Sequence, residues 1–218
     1  MKVLEAGCGS VSRLDLGPNA HIVGIDKSED QLKRNTVLHQ HILGDIQTYE
    51  LKASEYDMII CWNVLEHLQH PEYALSNFAH SLKEDGIIIL AMPNVLSAVG
   101  FLTKLTPLWF HIFLLRHLFG KKLAGTNGYG PFKTYMRLSI SLPAIVQFAH
   151  KHNLAVEYSN KYDPGFREAL REKSFIIETV FRLVCLFVKL LSMGKLDSNQ
   201  ASCVVVLREQ TNHTSYYS

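Results

Sequence analysis

The segment Met1-Lys2-Val3-Leu4-Glu5-Ala6-Gly7-Cys8-Gly9-Ser10 limits what this chain can fold into more than any other. Val3 and Leu4 are a short apolar run, and Glu5 closes it. Gly7 and Gly9 then bracket one small residue. This pattern reads as a buried strand that enters a turn where the backbone must come close to a ligand. A Cβ at either glycine would block that approach. Two glycines alone are a weak signal, so the motifs at fixed distances further along the chain decide the reading.

Three such signals come in order. His21-Ile22-Val23-Gly24-Ile25-Asp26 is a second apolar run that ends in an acid. An acid at the tip of the second strand of an α/β sheet is placed to accept hydrogen bonds from ribose hydroxyls; Asp26 equally suits the start of the next helix. Ile42-Leu43-Gly44-Asp45-Ile46 is a third run, with Asp45 just past its end or simply a turn acid. The fourth run, Tyr56 to Trp62, continues into Asn63-Val64-Leu65-Glu66-His67-Leu68. Helix signals separate the runs. Ser28-x-x-Gln31 matches a capping box and predicts a helix through about Leu38. Pro71 suits a first helical position, and Leu75, Phe78, Ala79 and Leu82 share one face. Lys83-Glu84-Asp85-Gly86 ends that helix, and Gly86 to Met92 is a fifth strand, apolar on both faces. Between the first two strands, Gly17-Pro18-Asn19 is a turn signal, so any helix there is short or irregular. The alternation predicts an α/β fold with a doubly wound, mostly parallel sheet.

With EAGCG, GID, GDI and CWNVLEHL in this order, the chain resembles the class I S-adenosylmethionine-dependent methyltransferases, in particular the group that includes the ubiquinone-biosynthesis O-methyltransferases. The resemblance covers residues 1 to about 94 well and the rest in outline. It implies a Rossmann-like sheet of seven strands whose last strand, Ala201 to Arg208, is antiparallel. It also implies S-adenosylmethionine as cofactor. Glu5, Ala6, Gly7 and Gly9 would form the loop under the methionine part of the cofactor. Asp26 would hold the ribose hydroxyls, with Lys27 beside it. Asp45 would accept from the adenine amino group, with Ile46 against the ring. Asn63 and Val64 would line the methyl side. The pattern departs from the family at Val11, where a third glycine is common. Related proteins usually carry a helical segment before the first strand, which this chain lacks at its start. A nicotinamide-binding protein would instead want G-x-G-x-x-G/A opening a longer helix, and here the third position is Ser12.

The length of 218 residues suits a single domain over residues 1–210, with a polar, frayed tail at 211–218. Two apolar stretches interrupt the alternation. Residues 95–135 come after the fifth strand and read as one or two helices and a glycine-rich loop with Gly120, Gly125, Gly128 and Gly130. Their position at the carboxyl side of the sheet makes them the expected acceptor cover. Ser141-Leu142-Pro143 opens a helix to His152, and Leu154 to Tyr158 is the sixth strand. Residues 166–193 read as a second apolar helix carrying Glu178 and Arg182 as an i, i+4 pair, with Lys189 nearby. Such helices either lie in a membrane interface, with Lys121 and Lys122 at the headgroups, or pack on each other or on a second subunit of a homodimer.

A hydroxyl acceptor must lose its proton, so an O-methyltransferase gains from a base with a pKa near the working pH. His67 is the best-placed residue for that role; it also reads as a histidine that caps a turn. Some relatives hold a divalent metal with E-x-x-E-H. Here the first position is Asn63, an amide, so no metal is expected, and Glu66 reads as structural. The net charge of +2 argues against nucleic acid. The expected acceptor is a small or lipid-like molecule. Cys8, Cys61, Cys185 and Cys203 show no metal spacing and fit a reducing compartment. No signal peptide is expected, because the chain enters a strand at once. The expected location is the cytoplasm, with peripheral membrane contact left open by the apolar helices. The alternative to an enzyme is a non-catalytic methyltransferase-like binding or membrane-associated subunit.

Overall fold

The computed structural model describes residues 1–126 and 129–210. Seven strands form one sheet: β1 (Lys2–Ala6), β2 (His21–Asp26), β3 (Gln40–Leu43), β4 (Tyr56–Trp62), β5 (Leu82–Pro93), β6 (Leu154–Tyr162) and β7 (Ser202–Glu209). Their order across the sheet is β3-β2-β1-β4-β5-β7-β6. The pairs β1·β2, β1·β4, β2·β3 and β4·β5 are parallel, whereas β7 runs antiparallel to both β5 and β6. The chain winds outward from β1 in both directions, so the order reverses between β1 and β4. A crevice opens at such a reversal, outside the carboxyl ends of the strands.

Seven α-helices accompany the strands among the described residues: α1 (Glu29–Arg34), α2 (Pro71–Ser81), α3 (Ala98–Leu105), α4 (Leu108–His117), α5 (Leu142–Lys151), α6 (Phe166–Lys173) and α7 (Phe175–Leu191). Pro71 opens α2, and Ala74, Leu75 and Phe78 are buried against the sheet. Ser141 caps α5, its hydroxyl accepting from the Ala144 amide. The main core joins Leu4, Val23, Ile25, Ile59, Ile88 and Leu90 of the strands to Leu75 and Phe78 of α2 and Ile145 of α5. These strands are apolar on both faces because helices and loops cover both sides of the sheet.

Several boundaries differ from the sequence reading. Ser28 does cap α1, its hydroxyl accepting from the Gln31 amide, but the helix stops at Arg34 rather than Leu38. The cause is Asn35, which is buried and takes an extended backbone so that its amide reaches the Gly9 carbonyl. No helix lies between β1 and β2; turns fill that stretch. Helix α2 ends at Ser81, and Lys83-Glu84-Asp85-Gly86 lies inside β5 as an irregularity in its pairing with β4. Residues 166–193 are two helices, because Ser174 is extended and caps α7. Glu178 bonds back to Arg167 on α6 at 3.1 Å instead of pairing with Arg182. Of the glycine-rich loop, Gly128 lies outside the described residues, as does the tail at 211–218.

Candidate active site

The carboxyl ends of β1 to β4 meet around one cavity of about 910 Å³. That is the size range of small-molecule and cofactor sites. Each of the four strand ends contributes.

At the end of β1, Gly7 and Gly9 have φ of +67° and +57°, a region that glycine enters without steric cost. The Gly7 and Cys8 amides donate to the Ile25 carbonyl of β2, which holds the turn against the neighbouring strand. A Cβ on Gly7 would lie 2.5 Å and 2.7 Å from the methyls of Val64. The glycine turn therefore packs directly on Val64, and both line the cavity. Glu5 and Ala6 do not line the cavity; both are buried beneath the turn. Glu5 supports it from below. Its carboxylate accepts from the Ser12 hydroxyl at 2.6 Å and from the Arg13 amide at 2.8 Å.

At the end of β2, Asp26 accepts from the Gly9 amide at 2.9 Å with one carboxylate oxygen and from the Ser28 amide at 2.8 Å with the other. Asp26 thus fixes the glycine turn and the start of α1 together. Each oxygen keeps acceptor capacity, which a vicinal diol could fill. Lys27 lines the same edge. At the end of β3, Asp45 accepts from the backbone and side-chain amides of Gln47 at 2.9 Å and 3.0 Å. The side-chain oxygen of Gln47 accepts from the His70 amide, so the β3 tip is tied to the start of α2. Ile46 is buried and forms an apolar part of the lining.

At the end of β4, Asn63 has φ of +55° and donates its amide to the Ala91 carbonyl. Val64 is next, and then a short 3-10 turn, Leu65–His67. Nδ1 of His67 lies 2.9 Å from the Lys133 carbonyl oxygen. A carbonyl only accepts, so Nδ1 carries the proton and Nε2 of the neutral ring is the basic nitrogen. Burial lowers the pKa of His67, and the positive charge of Lys27 pushes the same way, while the Lys133 carbonyl opposes them. Nε2 lies 3.9 Å from Glu66, whose carboxyl is buried and pushed up to about 7 by loss of solvent.

The expected cover at 95–135 includes the far wall, but the sequence did not single out the residues that form it. Phe132, Lys133 and Tyr135 cross the end of β4 as a strap. The Tyr135 amide donates to the Glu66 carbonyl at 2.8 Å, and the Tyr135 hydroxyl accepts from Gln69 at 2.8 Å. Phe132 packs edge-on against His67. The strap was hard to see because no strand or helix contains it; its place comes from long-range bonds to residues 66–69. The expected cover at 95–135 therefore reaches the cavity through its last residues, whereas α3 and α4 do not line it. The nicotinamide alternative loses its footing, because no helix follows the glycine turn to receive a pyrophosphate. Burial pushes the Cys8 thiol, at the cavity wall, up to about 12, so it is no thiolate. Among the described residues no three of His, Cys, Asp and Glu gather as a metal ligand set.

A family profile described as "Methyltransferase domain" matches residues 1–130, the stretch that supplies all four strand ends. The chain belongs to this methyltransferase family. A ubiquinone biosynthesis O-methyltransferase of Thiobacillus denitrificans is 30% identical to it over 129 residues, covering 50% of this chain and 55% of that protein. The chain spans about half the length of the curated relatives it matches. Its fold is like that of phosphoethanolamine N-methyltransferase 2 of Haemonchus contortus, solved with S-adenosyl-L-methionine (TM-score 0.58, 15% identity, 96% of this chain and 49% of that one). It is also like that of the YcgJ protein of Bacillus subtilis (TM-score 0.57, 13% identity, 97% and 92%).

The residues present fit the cofactor of this family. Gly7 lets the turn pack directly on Val64 at the cavity wall, the two oxygens of Asp26 offer acceptors to a diol, and Ile46 offers an apolar face to a purine. Asp26, Asp45, Gly7, Gly9, Asn63 and Val64 are the residues that would hold S-adenosylmethionine, with Lys27 at the rim.

Proposed function

We propose that this methyltransferase transfers the methyl group of S-adenosylmethionine to a hydroxyl of a small, lipophilic acceptor, and that His67 removes the hydroxyl proton. When bound, the cofactor supplies a methyl group already activated on a sulfonium. The chain then has to place the acceptor oxygen in line and exclude water, and positioning can supply much of the rate. The observation that carries the reading is the bond from His67 Nδ1 to the Lys133 carbonyl. It fixes the tautomer and leaves Nε2 to take a proton. Because the pKa of His67 is lowered, the ring is neutral and basic at pH 7. Phe132 and Tyr135 give the acceptor side an aromatic wall. The likeness to an O-methyltransferase supports oxygen as the target atom.

The test is transfer of labelled methyl from S-adenosylmethionine to a panel of phenols and amines. His67→Gln is expected to lower kcat by about 10²–10⁴-fold with little change in the cofactor's affinity. In the unsubstituted protein the acid limb of kcat/KM lies below 6.5, since the folded value is depressed from there. Full activity in His67→Gln, or transfer confined to amines, overturns the reading.

A further inference from the structure

Helices α3 and α7 pack on each other; α4 follows α3 after a sharp bend, and Phe119 just past it packs on Phe166 of α6, which meets Phe181 of α7. The inner faces of α3 and α7 pack together through Ala98, Leu102, Phe181, Cys185 and Val188. The outer faces carry large apolar side chains in the open. Leu105, Trp109, Phe187, Leu190 and Leu191 are each more than 60% exposed. Helix α4 has no buried residue at all. So many large apolar side chains left in the open on these helices mark an interaction site.

The charge pattern says what the partner is. Between Asp85 and Glu157 the sequence contains no Asp or Glu, yet it contains Lys104, Arg116, Lys121 and Lys122 beside the apolar helices. The acid of α7, Glu178, is buried and held by Arg167, which leaves Arg182 and Lys189 as the charges on that helix. Mixed charge returns on α6, where Glu168 and Glu172 accompany Arg171 and Lys173. A second copy seated two-fold on α3, α4 and α7 would bring their cations against each other, and the one acid on these helices, Glu178, is already held by Arg167. A phospholipid surface with anionic headgroups matches both the apolar side chains and the cations around them.

The helix geometry agrees. No single helix among the described residues is long and apolar enough to cross a bilayer. Helices α3 and α4 together have the length and apolarity of a span, but they meet at a bend of 111°. We propose that α3, α4 and α7 insert their outer faces into one leaflet of an anionic phospholipid bilayer, with Lys121 and Lys122 at the headgroups. The surface alone supports this, independently of the proposed chemistry. In the chain, the strap 132–135 that walls the cavity comes after α4.

Flotation of the full chain with vesicles tests the proposal. Vesicles of phosphatidylcholine with phosphatidylglycerol are expected to carry the protein, and vesicles of phosphatidylcholine alone far less. Raising the salt concentration weakens the first case. Trp109 emission shifts to the blue on binding, and Trp109→Phe abolishes the shift while keeping flotation. The pair Lys121→Ala with Lys122→Ala lowers partitioning about fivefold per charge, or on the order of 25-fold together. Both lysines are exposed, so the variant is expected to fold. Failure to float with either vesicle overturns the proposal. So does equal flotation with both. So does a solution dimer that Phe187→Glu splits and that ignores vesicles, which would make the occupant a second copy.

Discussion

Gly7 in the cavity wall and Glu66 buried behind it are the two most constrained residues here. Gly7 combines a positive φ with a neighbour at 2.5 Å from any added Cβ. Gly7→Ala adds backbone strain and a steric conflict with Val64, each costing on the order of 1–3 kcal/mol. Calorimetric titration with S-adenosylhomocysteine should therefore show affinity down on the order of a hundredfold. Glu66 behaves differently. Its Oε2 is buried and has no hydrogen-bond partner, and its pKa is raised from 4.5 to about 7. A raised folded-state value means that the carboxyl costs nothing below pH 4.5, where it is neutral in both states. It destabilises the fold as pH climbs through 7 and it ionises. Glu66→Gln should match the parent's stability at pH 4.5 and exceed it above pH 7, by up to about 3 kcal/mol. Denaturant melts across that range measure the gap. A constant offset at all pH values would show that the carboxyl is solvated or paired.

The glycine turn is held as an element, with Glu5 below and Asp26 beside it. Glu5→Ala leaves the Arg13 amide without its acceptor and the Ser12 hydroxyl with only a long bond to Asn35, although Glu5 lines no part of the cavity. Thermal unfolding should show a loss on the order of 3 kcal/mol, with cofactor affinity falling as a secondary effect. The strands and their tips were legible in the sequence because each is a local pattern. β4 begins and ends where the apolar run does, at Tyr56 and Trp62. Asp26 and Asp45 stand where the runs stop. What the sequence hid depends on distant partners. Asn35 ends α1 early because the Gly9 carbonyl waits for its amide. Glu178 turns to Arg167 because Ser174 divides residues 166–191 into a charged helix and an apolar one. Tyr135 reaches the site through the Glu66 carbonyl, and nothing in its own neighbourhood signals that bond.

Across the whole molecule, the cavity draws walls from four strands and from the strap, so a ligand there ties together parts distant in sequence. Saturating S-adenosylmethionine, at about 100 times its Kd, should add about 2.7 kcal/mol, seen as a rise of roughly 5–10 °C in Tm. Asp26→Ala should reduce that rise. The sheet order carries a different consequence, one of timing. Strand β6 sits at the edge and is joined to the sheet only through β7, which the chain supplies after α6 and α7. During synthesis β5 and β6 emerge before β7, and in the finished sheet they are joined only through it. Pairing of such high sequence separation is slow to form. Until it forms, the apolar edge of β5 and the apolar faces of α3 and α4 are exposed together, and a nascent chain in that state is a substrate for chaperones or for a nearby membrane.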